Sequence, residues 1–205
     1  MNFCSINDYN FELPTDLIAN FPKKNRSDSK LLYYDNKSDR YSHKTFCDMC
    51  DFVNCGDVII LNDTKVIPAR MNLKKSSGGI IEILFMKSES DKVFRAIYKS
   101  SRPPKIDSII TNNNLKFQVS EVKENNLLLK NLNSLSILEI LDKYGDIPLP
   151  KYIKRESTML DREKYQTVYA NKEGSVAAPT AGLHFTEDII DKLKNKGVKI
   201  EYITL

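Results

Sequence analysis

Between Met71 and Leu132 almost every segment able to pair is short and strand-like, and this constrains the chain more than any other feature. Ile80 to Phe85, Val93 to Tyr98, Leu115 to Val122 and Leu127 to Lys130 alternate apolar with polar residues, wholly or in part. Polar turns at Ser76-Ser77-Gly78, Glu89-Ser90-Asp91, Thr111 to Asn114 and Lys123-Glu124-Asn125 separate them. A period of two marks half-buried antiparallel strands. Short strands at close spacing must share one interior, which leaves a small barrel or sandwich. The flanking thirds mix helical and strand patterns. The predicted fold is therefore an α/β framework, residues 1–70 and 146–205, with an inserted antiparallel β-barrel-like domain, residues 71–145.

In the first flank, Pro14, Asp16, Leu17, Ile18 and Phe21 predict a helix within residues 8–22, ended by Pro22. The basic run Lys23 to Lys30 reads either as a solvated turn or as an anion-binding edge. Leu31 to Tyr34 predicts a strand, and Thr45 to Phe52 a short amphipathic helix capped by Thr45. Val58 to Leu61 is continuously apolar, the pattern of a strand covered on both faces. In the second flank, Ser134 to Tyr144 predicts a helix. So does Asp161 to Ala170, with Tyr165 and Tyr169 one turn apart on a packing face. Thr186 caps a helix that ends before Gly197, and Val198 to Leu205 alternates as a strand.

The 205 residues suffice for a core without disulfide staples. No apolar run approaches the ~20 residues of a membrane span, and Met1 to Cys4 lacks the features of a secretory signal, so a cytoplasmic, non-membrane protein is expected. A net charge of +4 is compatible with RNA without pointing to it. Of Cys4, Cys47, Cys50 and Cys55, only Cys47 and Cys50 stand in CxxC spacing. Neither His43 nor His184 completes a zinc pattern, and Cys50 falls on an apolar face, so no metal is expected.

Three stretches could carry chemistry. Gly174 to Phe185 is small, almost uncharged, and ends in one of the chain's two histidines. Its Pro179, Thr180, Ala181 and Gly182 would let a backbone approach a ligand closely. His184 is the candidate for proton transfer, with fixing the loop through hydrogen bonds as the equal alternative. Asn62, Asp63 and Thr64 lie just past the buried strand, where ligands sit in α/β sheets, and Arg70 closes the Pro-stiffened segment behind them. Lys99, Arg102 and Lys105 gather on a loop stiffened by Pro103 and Pro104 and could meet phosphates.

Together these segments resemble the S-adenosylmethionine:tRNA ribosyltransferase-isomerase family of queuosine biosynthesis. The carrying runs are Phe11 to Pro14, Gly56-Asp57 into Leu61 to Arg70, Gly78-Gly79 with Ile81 to Leu84, and Pro148 to Ile153. Tyr165 to Tyr169 and Gly174 to Phe185 complete the set, in the family's order. The resemblance implies an α/β domain carrying a barrel-like insert. It also implies transfer and isomerisation of the ribosyl part of S-adenosylmethionine onto 7-aminomethyl-7-deazaguanine at the tRNA wobble position, giving epoxyqueuosine with loss of adenine and methionine. S-adenosylmethionine is then a co-substrate, with no prosthetic group and no metal. The other partner is a tRNA carrying the deazaguanine precursor, and the full-length enzyme is expected to be a monomer. Catalysis falls to His184; substrate contacts fall to Asn62, Asp63, Thr64, Arg70, Tyr165, Gln166 and Pro179 to Gly182; tRNA contacts fall to Lys99, Arg102 and Lys105. Ile80 follows Gly78-Gly79 where a Lys is common, and Lys151 replaces a usual Pro. Family members continue beyond the strand that ends at Leu205. The expectation is a chain lacking the C-terminal part of the framework, with an unpaired apolar sheet edge. The alternatives to an active transferase are an inactive fragment and a non-catalytic RNA-binding module.

Overall fold

In the computed structural model, which describes residues 5–112 and 114–205, the chain enters through 3-10 turns at Ile6–Tyr9, Thr15–Leu17 and Arg26–Asp28. A hairpin of β1 (Lys30–Asp35) and β2 (Arg40–Thr45) follows, then a 3-10 segment, Phe46–Asp51, that closes a capping box on Thr45. Next come β3 (Val58–Asn62) and β4 (Thr64–Val66), interrupted only by Asp63.

The alternating middle of the chain forms β5 (Arg70–Lys75), β6 (Ile80–Ser90), β7 (Val93–Lys99), β8 (Ile109–Asn112), β9 (Leu115–Lys123) and β10 (Asn126–Asn131). They close into a six-stranded antiparallel barrel in the order β10-β7-β6-β5-β8-β9. Closure removes every sheet edge, which an open sheet would leave exposed. The inward residues, among them Met71, Leu73, Ile81, Ile83, Phe94, Phe117, Leu127 and Leu129, are almost wholly buried. Helix α1 (Ile137–Tyr144), capped by Ser136, packs Ile137, Ile140 and Leu141 into the same core. The chain enters the barrel at Arg70 and leaves it at Asp146, and these two residues exchange backbone hydrogen bonds of 3.1 and 2.8 Å. Gly145 makes the crossing possible: a Cβ there would collide with the carbonyl of Pro68.

The remainder consists of α2 (Met159–Lys164), β11 (Lys172–Ser175), a 3-10 turn at Thr180–His184, α3 (Glu187–Asn195) and β12 (Lys199–Ile203). β12 pairs parallel with β3, and β11 pairs parallel with β4. Asp63 is the junction: its amide donates to the Ile203 carbonyl, and its carbonyl accepts from the Asn171 and Lys172 amides. Helix α3 lays Ile189, Ile190 and Leu193 against Leu61, Phe46, Phe185 and Val198. No helix among the described residues is long and apolar enough to cross a membrane.

Three local expectations change. Residues 8–22 hold no α-helix. Two short 3-10 turns and extended chain replace it, and Leu17 and Phe21 are exposed rather than packed as a helical face. The segment is held by side chains from elsewhere, as shown below. The helix expected from Asp161 to Ala170 begins earlier, at Met159 behind Thr158, and stops at Lys164. The β-branched Thr167 and Val168 are poor helix formers, and the Gln166 amide is engaged with β4 instead. Tyr165 and Tyr169 therefore join different clusters, one with Val66, Ile147, Leu149 and Ala178, the other around Phe185. Finally, β3 is covered on one face only. Val58 is 53% and Ile60 62% exposed, because α3 covers the face that carries Ile59 and Leu61. Cys4 lies outside the described residues.

Candidate functional site

Three segments distant in sequence meet around a cleft of about 590 Å³: the entry chain from Leu17 to Lys30, the stretch from Leu149 to Tyr165, and the turn Thr180–His184. Apolar side chains (Leu17, Phe21, Leu149, Ile153, Leu183) line it together with Tyr152, Tyr165, His184 and several cations. Ligand pockets of ~300–1,000 Å³ with mostly apolar walls and a few polar groups hold small molecules of nucleoside size.

Two arginines fasten the entry chain across this cleft. Nη1 of Arg26 donates to the backbone carbonyls of Lys164 (3.2 Å), Gln166 (2.7 Å) and Leu183 (3.2 Å), and its Nη2 donates to the backbone carbonyl of Glu163 (2.8 Å). One guanidinium thus satisfies carbonyls at the end of α2, which the helix itself leaves unpaired, and joins them to the His184 turn. Burial pulls Arg26 below its ordinary pKa, with Glu163 opposing. At the other end of α2, Arg155 forms a bidentate pair with Asp161, both contacts 2.7 Å. Its Nε donates to the Asn20 carbonyl, and its guanidinium lies 4.5 Å from the centre of the Phe21 ring. Asp161 is 3% exposed and also accepts from the amide and hydroxyl of Thr158. Hydrogen bonding from Arg155, helped by Thr158, outweighs burial and holds the Asp161 carboxyl down to about 2.

The turn Thr180–His184 forms the third wall. The ring of His184 faces Phe46 at 5.3 Å between centroids, lines the cleft, and makes no hydrogen bond among the described residues. Gly182 is buried, and a Cβ on it would collide with the Tyr169 hydroxyl. The small residue thus admits Tyr169, whose ring also packs edge-on against Phe185. Burial pushes the Tyr169 phenol up to about 12, with Tyr202 adding to the shift, and burial raises Tyr165 as well. Beside Gly182, the Thr167 hydroxyl is buried without a partner.

Of the residues singled out in the sequence, Tyr165, Thr180 and His184 line this cleft together. Pro179 precedes the turn and accepts the Gly182 amide, while Ala181 is exposed. Gln166 sits behind the wall: its side-chain amide donates to the Val66 carbonyl and accepts the Val66 amide, acting as a one-residue strand on the free edge of β4. Asn62, Asp63 and Thr64 do not reach the cleft. The side-chain Oδ1 of Asn62 accepts from the Thr64 amide and hydroxyl; the Thr64 hydroxyl also bonds to Leu205, and the Asp63 carboxylate accepts from the Thr204 hydroxyl. These residues lace the β3–β4 junction to the end of β12. Arg70 and Lys99 line a second cleft of about 510 Å³ on the barrel wall, with Lys151. Arg102 and Lys105 are exposed on the adjoining loop.

Sequence reasoning missed Arg155 and Asp161, and read Arg26 only as one member of the basic run Lys23 to Lys30, where the structure has it donating to backbone carbonyls. The Thr158-x-x-Asp161 capping pattern was the readable signal for Asp161. The partners of Arg26 gave no such signal, since its four acceptors lie 137 to 157 residues away. Among the described residues no three metal-ligating side chains converge.

Residues 6–205 match the family model described as queuosine biosynthesis protein. The S-adenosylmethionine:tRNA ribosyltransferase-isomerases of Legionella pneumophila strains Lens and Corby are each 44% identical to this chain over 199 residues. The alignment covers 97% of this chain and 58% of either relative, so the chain spans somewhat over half their length. A solved S-adenosylmethionine tRNA ribosyltransferase from Thermotoga maritima is 26% identical, with a TM-score of 0.40, over 97% of this chain and 57% of that one.

Proposed function

The chain belongs to the queuosine biosynthesis protein family, and on that premise we propose that it handles the ribosyl donor in the modification of a tRNA. In this reading S-adenosylmethionine is the co-substrate. Its ribosyl part passes, with isomerisation, to 7-aminomethyl-7-deazaguanine at the wobble position of a precursor tRNA. Adenine and methionine leave. The cleft at the His184 turn receives the nucleoside portion of the donor: Leu149, Ile153 and Leu183 offer apolar surface for the base, Tyr165 is part of the wall, and Thr180 offers a hydroxyl. His184 takes up the proton released as the transfer begins.

One observation supports this reading above the rest. His184, whose ring makes no protein hydrogen bond among the described residues, lines a nucleoside-sized cleft built by three separate segments. A histidine that only fixed its loop would spend its nitrogens on backbone groups.

Calorimetric titration of the chain with S-adenosylmethionine tests the binding half. The wild-type chain is expected to bind, and His184→Ala to bind within a few-fold of it. With precursor tRNA, and with whatever further part the activity needs, His184→Ala is expected to lose adenine release by about 10²–10⁴-fold, the range of general acid–base groups. No heat of binding from the wild-type chain would overturn the assignment of the cleft. Full adenine release by His184→Ala would remove the proton-transfer role.

A further inference from the structure

The second cleft, on the outer wall of the barrel, is unlike an ordinary solvated sheet surface. Strands β5, β6 and β7 place Arg70, Leu84 and Ile97 in one cross-strand row, and Glu82 beside Lys99 in the next. Lys151 reaches the same space, about 510 Å³, from the framework. Apolar Leu84 and Ile97 thus form a floor on the outward face, where half-buried strands ordinarily carry polar residues. Three cations and one carboxylate border that floor. Among the described residues neither Lys99 nor Lys151 makes an ion pair. Glu82 stands 3.9 Å from Nε of Arg70, beyond hydrogen-bond reach, and that Nε is buried without a partner. The acceptors of Glu82 and the charges of both lysines are therefore uncommitted.

A bare anion would meet Glu82 as a repulsion. A purely apolar ligand would leave both lysines unused, Arg70 already donating to the Leu149 carbonyl at 3.1 Å. The ligand that suits all of these groups carries phosphate, a flat apolar face and hydrogen-bond donors together. Apolar side chains hold an unstacked base by its face, cations track the backbone, and a carboxylate accepts from exocyclic amines or hydroxyls. We infer that this cleft binds one unstacked nucleotide of a single-stranded RNA. Leu84 and Ile97 take the base face, Lys99 and Lys151 the flanking phosphates, and Glu82 the donor edge. A duplex keeps its bases inside the stack and meets only the lysines. That the strand is RNA rests on the function proposed above, since a tRNA loop is the single-stranded substrate there. The cleft extends that reading from the ribosyl donor to a nucleotide of the acceptor.

The test uses the full chain and a short fluorescein-labelled single-stranded oligoribonucleotide, titrated by anisotropy at several salt concentrations. Lys99→Gln with Lys151→Gln is expected to weaken binding on the order of tenfold at 0.1 M salt and to flatten the log–log salt slope by about 1.4, two phosphates at ~0.7 each. Lys116→Gln with Lys130→Gln, the same charge change on β9 and β10 outside the cleft, is expected to leave both nearly unchanged. Ile97→Thr is expected to weaken binding with the slope unaltered, because it removes floor and not charge. The inference is overturned by equal losses in the two lysine pairs, by wild-type binding of duplex as tight as of single strand, or by no binding of the strand at all. Calorimetry of the Lys99/Lys151 variant with S-adenosylmethionine separates the two readings. If the donor fails to bind while the RNA results hold, the ribosyl-donor assignment falls and the nucleotide cleft stands.

Discussion

Replacing Asp161 with Asn tests the energetics of the cleft at the His184 turn most directly. The carboxylate is buried beneath Arg155 and Thr158 at the start of α2, and Arg155 is the side chain that also holds Asn20 and Phe21. Its pKa falls from 3.8 to about 2 on folding. That difference corresponds to roughly 2–3 kcal/mol of stability at neutral pH, at about 1.4 kcal/mol per tenfold. Because the folded value lies below the unfolded one, the contribution is fully present above pH 3.8 and is lost as pH falls through about 2. Asp161→Asn also strands a largely buried guanidinium, which adds to the loss at every pH. Urea unfolding at pH 7 is thus expected to show Asp161→Asn less stable by about 2–4 kcal/mol. At pH 3 about half of the charge-dependent part remains, so the gap between wild type and variant narrows by roughly 1 kcal/mol. A gap of the same size at pH 7 and pH 3 would refute the argument, since it would mean that shape, not the carboxylate charge, carries the contribution.

Arg26→Ala removes four hydrogen bonds to backbone carbonyls and leaves several half-buried acceptors unpaired. Thermal melts are expected to show a loss of about 2–4 kcal/mol, with weaker binding of S-adenosylmethionine as the entry chain detaches from the His184 turn. Arg26→Lys is expected to recover little, since an ammonium cannot span acceptors so arranged. Gly182→Ala forces a methyl group into the Tyr169 hydroxyl. Its expected cost is about 1–3 kcal/mol, and adding Tyr169→Phe, which deletes the colliding oxygen, is expected to recover part of it; no recovery would place the strain elsewhere.

The barrel was legible because its information is local. Alternation from Ile80 to Phe85 or from Leu115 to Val119 states which side chains face inward, and turns at the expected spacing leave little besides closure. The Thr186 cap was legible for the same reason, since a cap acts within one turn. The entry chain was misread because Leu17, Ile18 and Phe21 imitate a helical face, while the groups that hold it, Arg26 and Arg155, work through partners more than a hundred residues away. The open face of β3 was misread because a run of apolar residues records burial demand without saying which elements are present to meet it.

The candidate sites divide along the same line. The sequence alone was enough to mark His184, the small-residue stretch before it, and the cations around Lys99, because unusual composition is visible without coordinates. Only the tertiary structure decided their company. It set His184 with Tyr165, Thr180 and the clamped entry chain, and it gathered Arg70, Lys99 and Lys151 around an apolar floor on the barrel. It turned Asn62, Asp63 and Thr64 inward to lace a sheet junction. The physical reason is range: propensity, periodicity and capping act over a few residues, whereas a cleft is a meeting of surfaces that the chain brings together only after those local choices have been made.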